Sequence, residues 1–174
     1  MKKTKITAFL ITSLMAISMI GCGSADSDVD ANADNIGDSA EQGYVFSYNG
    51  VDIEVDKEAG NLKSTVGEPL EYFEAESCAA QGIGKTYTYS DVIIETYPDG
   101  DKDMVLYITL KSDMVSTAEG ADLSMTKEEV IAIYGEATTQ TDSSLTYKKG
   151  SMGLIFIFDG DTMNSIQYSS KLNM

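Results

Sequence analysis

No histidine, arginine or tryptophan occurs among the 174 residues, and there are only two cysteines and two prolines. Without histidine there is no imidazole to activate a serine or cysteine nucleophile, and none to ligate zinc. Without arginine there is no planar fork for bidentate capture of phosphate or carboxylate. Most hydrolase and transferase mechanisms are excluded with them. Carboxylate-pair chemistry of the glycosidase kind survives on residue types alone. Positive charge is scarce as well: 12 lysines against 28 acids give a net charge of −16. Such a surface repels phosphate backbones, so nucleic acid is not an expected partner. It repels anionic lipid headgroups for the same reason.

What is present at the N-terminus is an address. Lys2, Lys3 and Lys5 precede an uncharged, largely apolar run from Ile6 to Ile20, followed by Gly21-Cys22. Fifteen residues are too few for a membrane-spanning helix, which needs about 20. They suit the apolar core of a secretory signal. Met19-Ile20-Gly21-Cys22 resembles the lipobox of exported lipoproteins, with Met19 in place of the usual leucine. The resemblance implies a signal peptide over 1–21 and a diacylglyceryl group on the Cys22 sulfur. It places the protein on the extracytoplasmic side of the cell membrane, with a Gram-positive source as the expectation. Cleavage removes three lysines and no acid, so the net charge falls from −16 to −19. The acyl chains would hold the protein to the membrane while its acidic surface stands off.

Residues 22–43 read as a tether. Six acids, no base, one isoleucine and no aromatic residue follow Cys22, too little apolar surface to offset chain entropy, so disorder is the expectation. Twenty-one residues at about 3.3 Å each extend to roughly 70 Å. With Cys22 lipidated, Cys78 is the remaining thiol. It lies in Ser77-Cys78-Ala79-Ala80 with no neighbouring base or cation, which reads as a buried structural cysteine.

From Tyr44 the chain is globular in character and carries a faint internal repeat, 44–113 and 114–174, within one folding unit. Val66-Gly67-Glu68-Pro69 ends one helical stretch and Tyr134-Gly135-Glu136-Ala137 ends another. Downstream, Asp99-Gly100-Asp101 and Asp159-Gly160-Asp161 each sit between two strand-like runs. For the second helix, Thr126 and Glu129 form a capping box, and Met125 with Val130 the hydrophobic staple. Val130, Ile133 and Tyr134 give its apolar face, with Gly135 as its exit. For the first, Asp56 is the candidate cap, Leu62 and Val66 share a face, and Gly60 predicts a broken helix. Asn49-Gly50 predicts a primed hairpin turn between strands 44–47 and 51–55. Further strands are expected at 71–77, 86–89, 92–97, 104–111, 145–148, 153–158 and 163–169. In the 104–111 strand, Met104, Leu106, Ile108 and Leu110 are assigned to the buried side and Val105, Tyr107, Thr109 and Lys111 to the other. The expected class is α+β: two tandem repeats, each a short helix or helix pair on a three- to four-stranded antiparallel meander.

Candidate sites are few. Asp99, Asp101 and Asp103 alternate like the start of a calcium loop, but Met104 and Leu110 stand where glycine and a bidentate glutamate belong. A solvated turn is the better account, and no metal site is assigned. Gly82-Ile83-Gly84-Lys85-Thr86 lacks the first glycine of a phosphate loop, since position 79 is alanine, and reads as a flexible turn. No two of the 22 acids outside the tether are marked as a catalytic pair, so no catalytic residue is assigned. Tyr87, Tyr89, Tyr97 and Tyr107 fall on strand segments and are the candidate binding face, because tyrosine offers rigid amphipathic contact area.

The lipobox, acidic tether and doubled helix-plus-meander resemble a group of small lipoproteins from Gram-positive anaerobes. Their globular part is similar to the β-lactamase-inhibitor-protein fold, whose repeat unit also occurs in the small lipoprotein of the outer-membrane barrel-assembly machine. The likeness spans about residues 50–170. It rests on Val66 to Pro69, their echo at Tyr134 to Ala137, and Ser77 to Tyr89. It implies a fold rather than an activity; no inhibitor contact motif matches, and β-lactamase inhibition is not expected. The functional expectation is a surface-anchored, non-enzymatic interaction module for a protein or cell-wall polymer partner, without a cofactor. The alternatives are a carboxylate-dependent carbohydrate-active enzyme and a domain responding weakly to calcium.

Overall fold

Alternation along the strands dictates a sheet with one side buried, because successive side chains point to opposite faces. The computed structural model describes residues 43–173. The signal peptide, Cys22 and the tether as far as residue 42 lie outside the described residues. Two strands, β1 (Phe46–Tyr48) and β2 (Val51–Ile53), form a small antiparallel sheet. Its turn, Asn49-Gly50, has positive φ at both residues, as the primed turn requires. Helix α1 (Leu62–Thr65) follows, then β3 (Glu71–Glu76), β4 (Ile83–Thr88), β5 (Val92–Asp99) and β6 (Lys102–Leu110). Helix α2 (Lys127–Tyr134) leads to β7 (Thr139–Gln140), β8 (Ser144–Lys149), β9 (Met152–Asp159) and β10 (Thr162–Ser169), and a 3-10 turn (Lys171–Asn173) closes the described chain. The second sheet is antiparallel with eight strands in the order β3-β4-β5-β6-β10-β9-β8-β7. The fold is therefore a mixed, β-rich one.

Register turns parity into a core. Tyr87, Ile94, Ile108, Tyr168, Leu154 and Tyr147 are successive cross-strand partners from β4 to β8, and all are buried. A parallel row runs Val92, Leu110, Ile166, Phe156, Leu145, each fully buried. Each such side chain contributes about 1.5–3 kcal/mol relative to exposure. The hairpin and both helices cover this side. Phe46 packs on Tyr168 with ring centroids 5.6 Å apart, Tyr48 on Tyr89 at 5.7 Å and Tyr134 on Phe156 at 5.2 Å. Intervening residues face away: Thr88, Ile93, Thr109, Gln167, Ile155 and Thr146 form one row of an open side, all half-buried.

Several local expectations are realised and others corrected. The α2 capping box is complete, with Glu129 N donating to Thr126 Oγ1 at 3.3 Å and Thr126 N to Glu129 Oε2 at 2.8 Å. Its covered face is Val130, Ile131 and Tyr134, whereas Ile133 is exposed, because the helix lies on the sheet one position round from the expected stripe. Asp56 does not cap α1. Gly60, at φ +59, delays the helix until Leu62, and Asn61 caps it by accepting from Ser64 N at 3.3 Å. β4 begins at Ile83, so Gly84-Lys85-Thr86 lie within a strand rather than a turn. In β6 the alternation breaks: a bulge opposite Glu95 and Thr96 adds Leu106 as an extra residue. Val105 thereby enters the core, contrary to the assigned parity, while Leu106 turns towards the open side. Among the described residues no helix is long and apolar enough to cross a membrane.

Candidate functional site

The β6 bulge also shapes a concavity. A cleft of about 340 Å³ opens on the uncovered side of β3 to β6. Its floor is the second open-side row, in which Phe73, Thr86, Glu95 and Tyr107 are successive cross-strand partners. The β3–β4 loop, carrying Ser77, Cys78 and Ala79, walls one end, and Asn173 of the closing turn contributes at another. Gly84 permits the close approach: a Cβ there would stand 2.8 Å from the Thr96 carbonyl oxygen. Thr96 stitches the same corner, accepting from Lys85 N at 3.1 Å through its Oγ1.

Glu95 dominates the electrostatics. Burial alone pushes its carboxyl above the ordinary range, with no counter-charge or hydrogen bond offsetting it. Lys85 lines the cleft too, but its ammonium donates to Asp103 Oδ2 at 2.5 Å, and that bond is the chief reason its pKa rises. The cation is thus already committed. Across the strand pair, burial first and the charge of Glu95 second raise the Tyr107 phenol. An acid and a phenol stand beside Phe73, Ala75 and Leu106, open to solvent, a combination chemically suited to a cationic group: carboxylate for charge, aromatic faces for cation–π contact.

The four candidate tyrosines do not form one face. Tyr87 and Tyr89 share parity with the Ile94–Ile108 row and are buried under the hairpin, where Tyr87 also meets Tyr72 at 5.0 Å. Tyr97, buried, donates to Asp56 Oδ1 at 3.1 Å, and burial followed by the charge of Asp56 pushes its phenol up to about 12. Tyr107 stands alone on the open side. Cys78 is exposed rather than buried. It sits where the chain leaves the ladder, in a surface turn that Ser77 Oγ fastens by accepting from Ala79 N and Ala80 N at 3.2 and 3.3 Å. Asp99 and Asp101 are exposed at the β5–β6 turn while Asp103 pairs with Lys85, and among the described residues no three acidic or thiol groups converge to hold a metal. Glu95 is absent from the sequence-derived candidates. Its signal is a lone acid inside Val92-Ile93-Ile94-Glu95-Thr96-Tyr97, otherwise a run of strand formers. Comparison with protein-family models, curated proteins and solved structures returns no match.

Proposed function

We propose that this chain is a lipid-anchored, extracytoplasmic, non-enzymatic binding module that holds a protein or cell-wall polymer through the open side of its large sheet. The observation that carries the reading is Glu95, a half-buried carboxylate at the floor of an open cleft without a compensating cation. A charge desolvated without a partner is costly, and a ligand amine or guanidinium removes that cost on binding. In this reading Cys22 bears the lipid, 22–43 is the tether, and no cofactor is needed. The chain's lack of histidine and arginine supports a binding role over a catalytic one.

The same proposal includes two copies of a helix-plus-meander unit, 44–113 and 114–174, as in the β-lactamase-inhibitor-protein-like lipoproteins. Its support is the sheet order: β3 to β6 run outward-in, β7 to β10 mirror them, and the halves meet where β6 pairs with β10. The test is co-sedimentation of the full chain with purified cell-envelope and cell-wall fractions. Saturable binding that Glu95→Lys abolishes and Tyr107→Ala weakens is the expected result. Binding that is absent, or indifferent to both changes, refutes the reading.

A further inference from the structure

Strand β3 ends the eight-stranded sheet, and every residue from Glu71 to Glu76 is exposed, on both sides of the strand. Its inner edge is satisfied by β4. Ser77 N donates to Gly82 O at 2.8 Å, which makes 77:82 a hydrogen-bonded pair; the unbroken register extends that pattern to Ala75, Phe73 and Glu71. The opposite orientation of Lys85, whose backbone is met by Thr96 on the β5 side, fits the same phase. The N–H and C=O groups of Tyr72, Glu74 and Glu76 consequently project outward, unpaired by any strand among the described residues. Proteins usually blunt such an edge with lysines, proline, a bulge or a short strand. Here the edge is regular for six residues, free of proline and lysine, and carries two exposed aromatics, Phe73 at 65 % and Tyr72 at 38 %.

The edge is also charged. Glu71, Glu74 and Glu76 lie along it, and the two ion pairs among the described residues, Lys85–Asp103 and Lys102–Glu58, involve none of them. A second copy is a poor occupant. Antiparallel pairing of β3 with itself centred on Glu74 would set Glu74 on Glu74, and in any register it brings the three glutamates of each copy, six carboxylates, onto one strand pair, where like charges destabilise a sheet. The chain's own 23–43 segment has six acids and no base, so it is repelled too. We infer that the β3 edge accepts an extended peptide segment of a partner protein with lysine or arginine at alternating positions, which adds a ninth strand to the sheet. Backbone pairing to Tyr72, Glu74 and Glu76 supplies the register, cross-strand contact with the glutamates selects basic side chains, and Phe73 and Tyr72 cover the added strand from either side. The inference rests on the binding-module reading and gives it a partner class, on an edge that adjoins the Glu95 cleft through Phe73 and Ala75.

The test titrates a fluorescent eight-residue peptide of alternating lysine and valine into the full chain and reads anisotropy. Glu74→Pro removes an outward N–H while leaving the β3–β4 ladder its bonds. The expected results are saturable binding, an affinity loss of at least about tenfold in Glu74→Pro, and no binding of the same peptide N-methylated on alternate amides. The triple variant with lysine at 71, 74 and 76 should instead prefer a glutamate–valine peptide, which keeps the question answerable if Glu74→Pro folds poorly. Equal binding of the N-methylated peptide would reduce the effect to surface charge and overturn the inference. So would a concentration-dependent dimer that excludes the peptide and is lost in Glu74→Pro. Envelope binding that still depends on Glu95 while the peptide fails to bind would remove the edge and leave the cleft.

Discussion

Asp56 and Ser170, 114 positions apart, are joined by a hydrogen bond from Ser170 Oγ to Asp56 Oδ1. The same carboxylate accepts from Tyr97 OH at 3.1 Å and Lys171 N at 3.2 Å, so one acid pins the end of β5 and the closing turn to the segment after β2. Asp56 holds φ +60 to do so, a conformation that asparagine and aspartate tolerate better than alanine. Asp56→Ala should cost about 2–3 kcal/mol, since it strands the buried Tyr97 hydroxyl and adds backbone strain. Asp56→Asn should cost about half as much, because it keeps an acceptor and the backbone preference. Urea unfolding at constant slope measures both; equal losses would deny the backbone contribution.

The α2 capping box gives a second, local prediction. Thr126→Ala removes the acceptor for Glu129 N, at an expected cost of about 1 kcal/mol. Thr126→Ser should restore most of it. Because α2 lays Val130 and Tyr134 on the sheet, the loss should appear in the global melting transition rather than as fraying alone. Calorimetry with far-ultraviolet dichroism of both variants separates these outcomes.

Two hydroxyls in the core have no hydrogen-bond partner among the described residues, those of Tyr89 and Tyr168. Burial, then the charge of Glu119, raises the Tyr168 phenol. Deleting a buried group that makes no bond removes a desolvation cost and keeps the ring packing. Tyr168→Phe should therefore leave the Tm unchanged or raise it, where Tyr168→Ala should cost about 3–5 kcal/mol through the cavity left beneath Phe46 and Tyr44. A clear loss in Tyr168→Phe would mean that an ordered water completes the site.

Features settled within four or five residues were legible in the sequence: the Asn49-Gly50 turn, the Thr126–Glu129 box, the alternation of the later strands. Parity was legible too, but not which parity faces the core. Tyr87 and Tyr107 look alike as strand tyrosines. Register across β4, β5 and β6 buries the first and leaves the second on the open side. The bulge at Leu106 depends on pairing with Glu95 and Thr96 ten or more positions earlier, so no local pattern announces it. β7, with two residues, exists only because β8 is beside it. Asp56 reads as a helix cap in the sequence because its real partners, Tyr97, Ser170 and Lys171, are brought to it only by the tertiary fold.

Glu95 yields the pH prediction. Its folded pKa lies above its ordinary value, so the unfolded state ionises more readily and ionisation weakens the fold. The carboxyl's contribution is fully present below the ordinary pKa of about 4.5 and is lost as pH rises through the higher folded value. The titratable group facing it from the neighbouring strands is Tyr107 of β6, its cross-strand partner, and Cys78 of the β3–β4 loop lines the same cleft. Glu95→Gln should raise the Tm at pH 7 by about 1–3 °C, and the difference should shrink towards zero near pH 4. A cationic ligand in the cleft should erase the gain, because an ionised Glu95 then has a partner and glutamine does not. Melting curves of both chains from pH 4 to 8 decide it: a gain constant across that range would mean that packing, rather than the buried charge, separates the two side chains.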